Sequence, residues 1–144
     1  MIVSLPFDKF GRGEPLVTTG RTGAGDLVYV RYTDSTHIQV ALDHWGGIEA
    51  VSAPIPVDYA APHEIWVDMN SLNDPQGQVG PSPVTVMLDG RIVLSSAIVP
   101  YPSTRSEVTV AQNLIGGSNE DPSFSGTLYF VERLGSAAIP APRS

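Results

Sequence analysis

The sequence contains no cysteine, which excludes disulfide bonds, thiolate metal sites and cysteine nucleophiles. Positive charge is also scarce, because Lys9 and seven arginines stand against 15 acidic residues and give a formal net charge of −7. These basic residues do not cluster, whereas a nucleic-acid-binding protein needs a basic patch to displace counterions from phosphates. We therefore expect no nucleic-acid partner and no binding to an anionic membrane surface.

Long apolar runs are missing as well. No run approaches the ~18 residues of a transmembrane helix, so we expect no membrane insertion. Residues 1–6 lack the charged start and long apolar stretch of a signal peptide. No segment repeats its apolar residues with the 3.6-residue period of a helix, and almost no helix is expected. A Gly-x-Ser-x-Gly motif is absent too, so nothing indicates a hydrolase triad.

The composition indicates a globular domain, with 42% apolar and 16% charged residues. Glycine (14) and proline (13) are spread along the chain, as punctuation between many short elements. A length of 144 residues suits one domain. We assign residues 1–135 to that domain and the Pro/Ala-rich residues 136–144 to a tail or linker.

Alternation of apolar and polar residues dominates the sequence. Residues 26–33 and 36–44 alternate on either side of a short turn, which predicts a hairpin. Residues 83–88 and 91–94 flank Asp89-Gly90, and Asp-Gly favours a type I′ hairpin turn because both central residues adopt positive φ. Further strands are predicted at 2–5, 16–19, 63–69, 107–111 and 124–134, and one long exposed loop at 70–82.

The predicted elements are strands, with no helices to cover a parallel sheet, and the fold classes that remain are a β-sandwich and a β-barrel. Two packed sheets bury one face of each, which accounts for the one-sided alternation. We therefore predict an all-β fold, a two-sheet antiparallel β-sandwich.

Two segments carry a family resemblance. Residues 84–93 read strand, Asp-Gly, strand, and residues 114–119 (Leu-Ile-Gly-Gly-Ser-Asn) precede residues 124–130 (Phe-Ser-Gly-Thr-Leu-Tyr-Phe). Together they resemble the C-terminal half of laminin-G-like domains, which belong to the concanavalin A-like lectin and glucanase superfamily. Residues 15–20 and the hairpin over 26–43 are similar to the first half, so the resemblance spans roughly residues 1–135.

The resemblance implies a jelly-roll sandwich and an extracytoplasmic or cell-surface location. Members of this superfamily bind sugars, glycosaminoglycans, proteins or calcium, and some hydrolyse glycosides. The hydrolases carry a Glu-x-Asp-x-x-Glu cluster or a similar one on one strand, and this sequence lacks it. The shared motifs encode turns and packing, so they argue fold more than function.

Glu64, Trp66 and Asp68 form the first candidate ligand site. They alternate along one strand and therefore point to the same face. An indole between two carboxylates suits stacking on a sugar ring while the acids bind its hydroxyls. The alternative is a half-buried tryptophan with ordinary solvated acids, a pattern that alternation generates freely. Four residues of strand span ~13 Å, too far for a glycosidase carboxylate pair.

Asp43, His44 and Trp45 form a second candidate ligand site, where a strand ends and glycines begin. A tryptophan folded over the sandwich edge is an equally good interpretation. Asp26, Asn119 and Asp121 are candidate calcium ligands, since they offer hard oxygen atoms. The alternative is a solvated turn, because Asn and Asp are common turn residues. No other cofactor is expected.

These observations favour a non-catalytic, lectin-like module that binds carbohydrate. The alternative is a structural or protein-interaction domain of a larger protein, able to form homo-oligomers, and a glycoside hydrolase ranks last. The ligand would thus be a carbohydrate or a protein.

Overall fold

The computed structural model describes residues 1–73 and 80–134. The elements within these ranges are β1 (Ile2–Ser4), β2 (Gly13–Arg21), β3 (Ala24–Tyr32), β4 (His37–His44), β5 (Ala50–Val51), β6 (Ile55–Pro56), β7 (His63–Asp68), α1 (Asn70–Asn73), β8 (Ser82–Leu88), β9 (Arg91–Ile98), a 3₁₀ turn (Arg105–Glu107), β10 (Thr109–Val110) and β11 (Thr127–Phe130).

The strands form two antiparallel sheets, which confirms the predicted all-β sandwich. The five-stranded sheet has the order β11-β1-β7-β8-β9, and the six-stranded sheet has the order β10-β2-β3-β4-β5, with β6 also pairing with β4. The only helices within the described ranges are one turn each, and neither is long or apolar enough to cross a membrane.

The core lies between the inner faces of the two sheets. Its members alternate along their strands as predicted, and the buried ones include Val28, Val30, Tyr32, Ile38, Val40, Leu42, Ile65, Met69, Val84 and Val86. Each fully buried aliphatic side chain contributes roughly 1.5–3 kcal/mol. Burial of every second side chain on both layers is therefore the main stabilising interaction of this fold.

The β8–β9 hairpin turns at Asp89-Gly90 as predicted. Asp89 has a φ of 50° and Gly90 a φ of 83°, the positive values that a type I′ turn requires. The Asp89 carboxylate accepts hydrogen bonds from the backbone N–H of Glu64 (2.9 Å) and contacts the ring of His63 (2.7 Å). The turn residue thus also holds the hairpin against β7.

The predicted hairpin over residues 26–44 is confirmed as β3 and β4. Val30 lies opposite Val40 in its register. In the connecting turn, the Asp34 carboxylate accepts a 2.8 Å hydrogen bond from the N–H of Thr36. A local side-chain bond of this kind is why aspartate is common in turns.

Two strand predictions in the C-terminal third were too long. The strand predicted at 124–134 covers only Thr127–Phe130, because its partner β1 is itself three residues long. The strand predicted at 107–111 covers only Thr109–Val110. It is preceded by the 3₁₀ turn, in which the N–H of Glu107 bonds to the carbonyl of Thr104 at 3.0 Å. Sequence alternation does not report where a partner strand ends.

The loop predicted at 70–82 was wrong at both ends. Residues Asn70–Asn73 form one helical turn, and Ser82 already belongs to β8. Ser71 is buried, with its hydroxyl 3.3 Å from that of Thr19, so this end of the segment is not an exposed loop. Residues 74–79 and the predicted tail at 136–144 lie outside the described residues.

Candidate functional site: a polar cleft on the six-stranded sheet

The outer face of the six-stranded sheet is partly buried. Leu27, Tyr29 and Ala41 point away from the main core, yet they form a second small apolar cluster. The segment 111–121 packs beside them: the carbonyl of Leu16 accepts a bond from Ala111, and that of Gly13 accepts one from Asp121. This segment and β3–β4 enclose an open cleft on the outer face.

The polar cleft has a volume of about 440 Å³ and combines two strands with two loops. Its lining residues are Tyr29, Arg31, Asp43, Glu49, Gly117, Ser118, Asn119 and Glu120. Tyr29 and Arg31 alternate on β3 and therefore share a face, and Asp43 comes from the neighbouring β4. The remaining residues come from the loops after β4 and β10.

Arg31 is the electrostatic centre of the polar cleft. Its guanidinium donates a 2.9 Å hydrogen bond to Glu49 and a 3.0 Å bond to the Tyr29 hydroxyl, and lies 3.5 Å from a carboxylate oxygen of Glu120. The Tyr29 hydroxyl in turn donates to Glu49. Asp43 adds a third carboxylate, so one cation faces three acidic side chains and the cleft is acidic overall.

Partial burial changes the acidity of the cleft residues. Burial raises the pKa of Asp43, and the charges of Glu49 and Asp26 raise it further. Burial also raises the pKa of Glu120, although the nearby Arg31 guanidinium opposes this effect. Desolvation penalises the charged form of a carboxyl group. A ligand that donates hydrogen bonds to Asp43 and Glu120 would therefore replace the water contacts that these two carboxylates have lost.

Trp45 packs against Gly117, one of the residues that line the polar cleft. Its six-membered ring packs directly on Gly117, so that a Cβ at this position would overlap the ring. Gly117 has a φ of 73°, a left-handed conformation that favours glycine. The glycine allows both the backbone turn and the close approach of the half-buried indole to the cleft.

The candidate site Asp43, His44 and Trp45 is split between two faces. His44 points away from the polar cleft, bonds through Nδ1 to the buried Asp26, and stacks on the Tyr101 ring at a centroid distance of 4.6 Å. The Tyr101 hydroxyl donates to the Trp45 carbonyl at 2.6 Å. His44 therefore packs the end of the sandwich, while Asp43 lines the cleft and Trp45 packs against Gly117.

Glu64, Trp66 and Asp68 share one side of β7, and all three line a different, apolar slot beside this middle strand of the five-stranded sheet. The indole Nε1 of Trp66 is buried and has no hydrogen-bond partner within the described residues. Its polar edge is therefore not offered to solvent. Whether these residues bind a sugar stays a prediction.

The three candidate calcium ligands have different partners. Asp26 bonds to His44 and accepts a 3.2 Å bond from the N–H of Tyr101, while Asp121 pairs with Arg12 (Nε to Oδ2, 2.9 Å). Asn119 lines the polar cleft. Over residues 1–73 and 80–134, no group of three or more His, Asp or Glu side chains is arranged to hold a metal ion. The calcium site stays a prediction.

Sequence reasoning missed Tyr29, Arg31 and Glu49 as site residues. A signal existed for the first two, because they alternate with the core residues Val28 and Val30 and so had to share the outer face. Glu49 lies two residues after a glycine pair, and its approach to Arg31 depends on the course of a loop.

In comparisons with known proteins, no family model matches the chain, and no curated protein or solved structure shows significant similarity to it.

Proposed function

We propose that this domain is a non-catalytic recognition module that binds a neutral carbohydrate in the polar cleft. The observation that carries the proposal is one open cavity of about 440 Å³ in which Asp43, Asn119 and Glu120 lie beside an arginine. The resemblance of the sequence to concanavalin A-like domains supports the same class of function.

The chemistry of the cleft suits sugar hydroxyls. An ionised carboxylate only accepts hydrogen bonds, whereas an amide both donates and accepts. The side chains of Asp43 and Asn119 have no hydrogen-bond partner among the described residues, so both have capacity for a ligand. Trp45, packed against Gly117 of the cleft lining, is an aromatic ring beside the cleft on which the C–H face of a sugar would pack.

The charge of the cleft selects among carbohydrates. Its three carboxylates outnumber the single guanidinium of Arg31, so sulfated or uronic-acid-rich glycans would be repelled. Neutral and amino sugars would not be. The absence of a hydrolase carboxylate motif in the sequence favours binding over hydrolysis.

A glycan array followed by calorimetric titration tests the proposal. We expect binding of neutral oligosaccharides, weakened about tenfold or more in Asp43→Asn and Asn119→Ala, because one good hydrogen bond is worth about 1–1.5 kcal/mol. Asp8→Asn, an exposed carboxylate outside the cleft, serves as the matched control. Titration with calcium and then with EDTA separates direct binding from binding bridged by the metal. No binding of any neutral sugar, or equal affinity of Asp43→Asn and the parent, would refute the proposal.

A further inference from the structure

Asp43 faces the polar cleft without a partner. It lies on the outer face of β4, directly opposite Leu27 in the β3–β4 register, and its side chain lines the cavity. Over residues 1–73 and 80–134, its carboxylate takes part in no hydrogen bond and no ion pair. Because an ionised carboxylate only accepts hydrogen bonds, a ligand group that binds Asp43 has to be a donor.

The surface beside Asp43 is apolar. Leu27 and Ala41 are buried, and together with Tyr29 they form the small apolar cluster of the outer face. Side chains of this kind displace water from one side of the carboxylate, and burial is the largest cause of the raised pKa of Asp43. A donor that replaces the lost water therefore stabilises this carboxylate more than it would a fully solvated one.

The positive charge of the cleft is engaged by other residues. Arg31 uses one nitrogen, Nη2, for a 2.9 Å hydrogen bond to Glu49 and a 3.5 Å contact with Glu120. Among the described residues no cation pairs with Asp43. The neighbouring His44 directs its Nδ1 to Asp26 instead. The charge of Asp43 is thus available to a cationic group of a ligand.

The cleft has room for much more than a lone cation. Its volume of about 440 Å³ is many times the ~30 Å³ share of one water molecule. Asn119 lines the same cavity with an amide that has no hydrogen-bond partner within the described residues and can both donate and accept. A ligand that fills the cleft therefore combines a cationic donor for Asp43 with hydroxyl groups for Asn119.

We propose that the preferred ligand of the polar cleft is an amino sugar, whose protonated amine binds Asp43 while its hydroxyls bind Asn119. An ammonium group supplies three donors and a positive charge, whereas a hydroxyl supplies one donor and no charge. Charge-assisted hydrogen bonds are also roughly twice as strong as neutral ones. This inference rests on the proposed function, because it adds one amine to a carbohydrate bound in the same cleft.

Matched trisaccharides of one linkage test the inference. Each glucose ring carries an amine in the first, the ordinary hydroxyl in the second, and an uncharged N-acetyl group in the third. Calorimetric titrations with EDTA present, at a pH that keeps the amine protonated, compare their affinities. We expect the amine form to bind about tenfold tighter than the hydroxyl form and the N-acetyl form to lose this gain. Added salt should reduce the gain and leave the hydroxyl form unchanged, because only the charged pair is screened.

Variants of the cleft locate the amine. Asp43→Asn keeps the shape of the side chain and removes its charge, so the preference for the amine form should disappear. Asn119→Ala should weaken the amine and hydroxyl forms by the same factor and keep the preference. Asp8→Asn, an exposed carboxylate outside the cleft, should change neither affinity. Melting curves show that each variant is folded before it is titrated.

Equal affinities for the amine and hydroxyl forms would overturn the inference and leave the proposed function standing. A preference that survives in Asp43→Asn would place the amine elsewhere and overturn it as well. If methylammonium bound as tightly as the amino trisaccharide, Asp43 would be a site for small cations and not for an amino sugar. If neither these trisaccharides nor any sugar of the glycan array bound, the proposed function itself would be refuted, and the inference with it.

Discussion

Tyr32 donates a 2.6 Å hydrogen bond to Oε1 of Glu14, and both side chains are almost completely buried. The other oxygen of Glu14 accepts a 3.1 Å bond from the N–H of Ser125. Burial, together with this bond to Glu14, raises the pKa of Tyr32. A buried carboxylate is costly unless hydrogen-bond donors satisfy it. This network joins β2, β3 and the segment before β11, and losing one of its donors would therefore destabilise the fold.

We expect Tyr32→Phe to lower the free energy of unfolding by about 1–3 kcal/mol, because it leaves one oxygen of the buried Glu14 carboxylate without a donor. Urea denaturation measures the change. Tyr129→Phe is the matched control, since its hydroxyl contacts Ser4 at an exposed site. That variant should stay within about 0.5 kcal/mol of the parent, and equal losses in the two variants would contradict the role of burial.

The raised pKa of Asp43 makes a prediction about stability and pH. A carboxyl with a raised folded-state pKa stabilises the fold below its ordinary value of 3.8, and that contribution is lost as the pH rises through the folded-state value. Asp43→Asn should therefore raise the melting temperature near neutral pH. The gain should vanish as the pH falls below 3.8. A gain that persists at low pH, or appears equally in Asp8→Asn, would be inconsistent with this mechanism.

The contact of Gly117 with Trp45 allows a comparison of neighbouring glycines. Gly116 and Gly117 have φ values of 71° and 73°, but only at Gly117 would a Cβ meet the indole. Alanine at either position should cost about 1–2 kcal/mol through backbone strain. Gly117→Ala should cost about 1–3 kcal/mol more through overpacking and change Trp45 fluorescence in a Trp66→Phe background. Identical effects would show that the indole tolerates the added methyl group.

The type I′ turn of the β8–β9 hairpin depends on its glycine. Gly90→Ala should destabilise the domain by about 1 kcal/mol or more, because an alanine at a φ of 83° is strained. Calorimetric melting would reveal the loss. Gly80→Ala is the control, since a Cβ there meets no atom of the described residues within 4 Å. The turn assignment fails if the two variants melt at the same temperature.

The parts of the fold that the sequence predicted are those governed by local rules. The β8–β9 hairpin follows from Asp89-Gly90, and the inner faces of β3 and β4 follow from alternation. The two-residue strands β5 and β6 were not predicted, because they are too short to show a period and exist only through pairing with β4. Strand lengths were predicted wrongly for the same reason, because the length of a strand depends on the strand with which it pairs.

The polar cleft was predictable only in part. Asp43 and Asn119 were singled out from the sequence, but for different sites. Their meeting with Arg31 depends on how the segment 111–121 returns along β2, and no local pattern encodes that path.

The pairing of β1 with β11 brings residues 2–4 and 127–130 into one ladder. Such a contact closes a loop of nearly the whole described chain, and contacts of this span slow folding because their entropy cost precedes any gain. During synthesis, the first strand must wait for the last before the five-stranded sheet is complete. Until then the edge of β1 that β11 covers in the folded domain is open to mispairing with other extended segments.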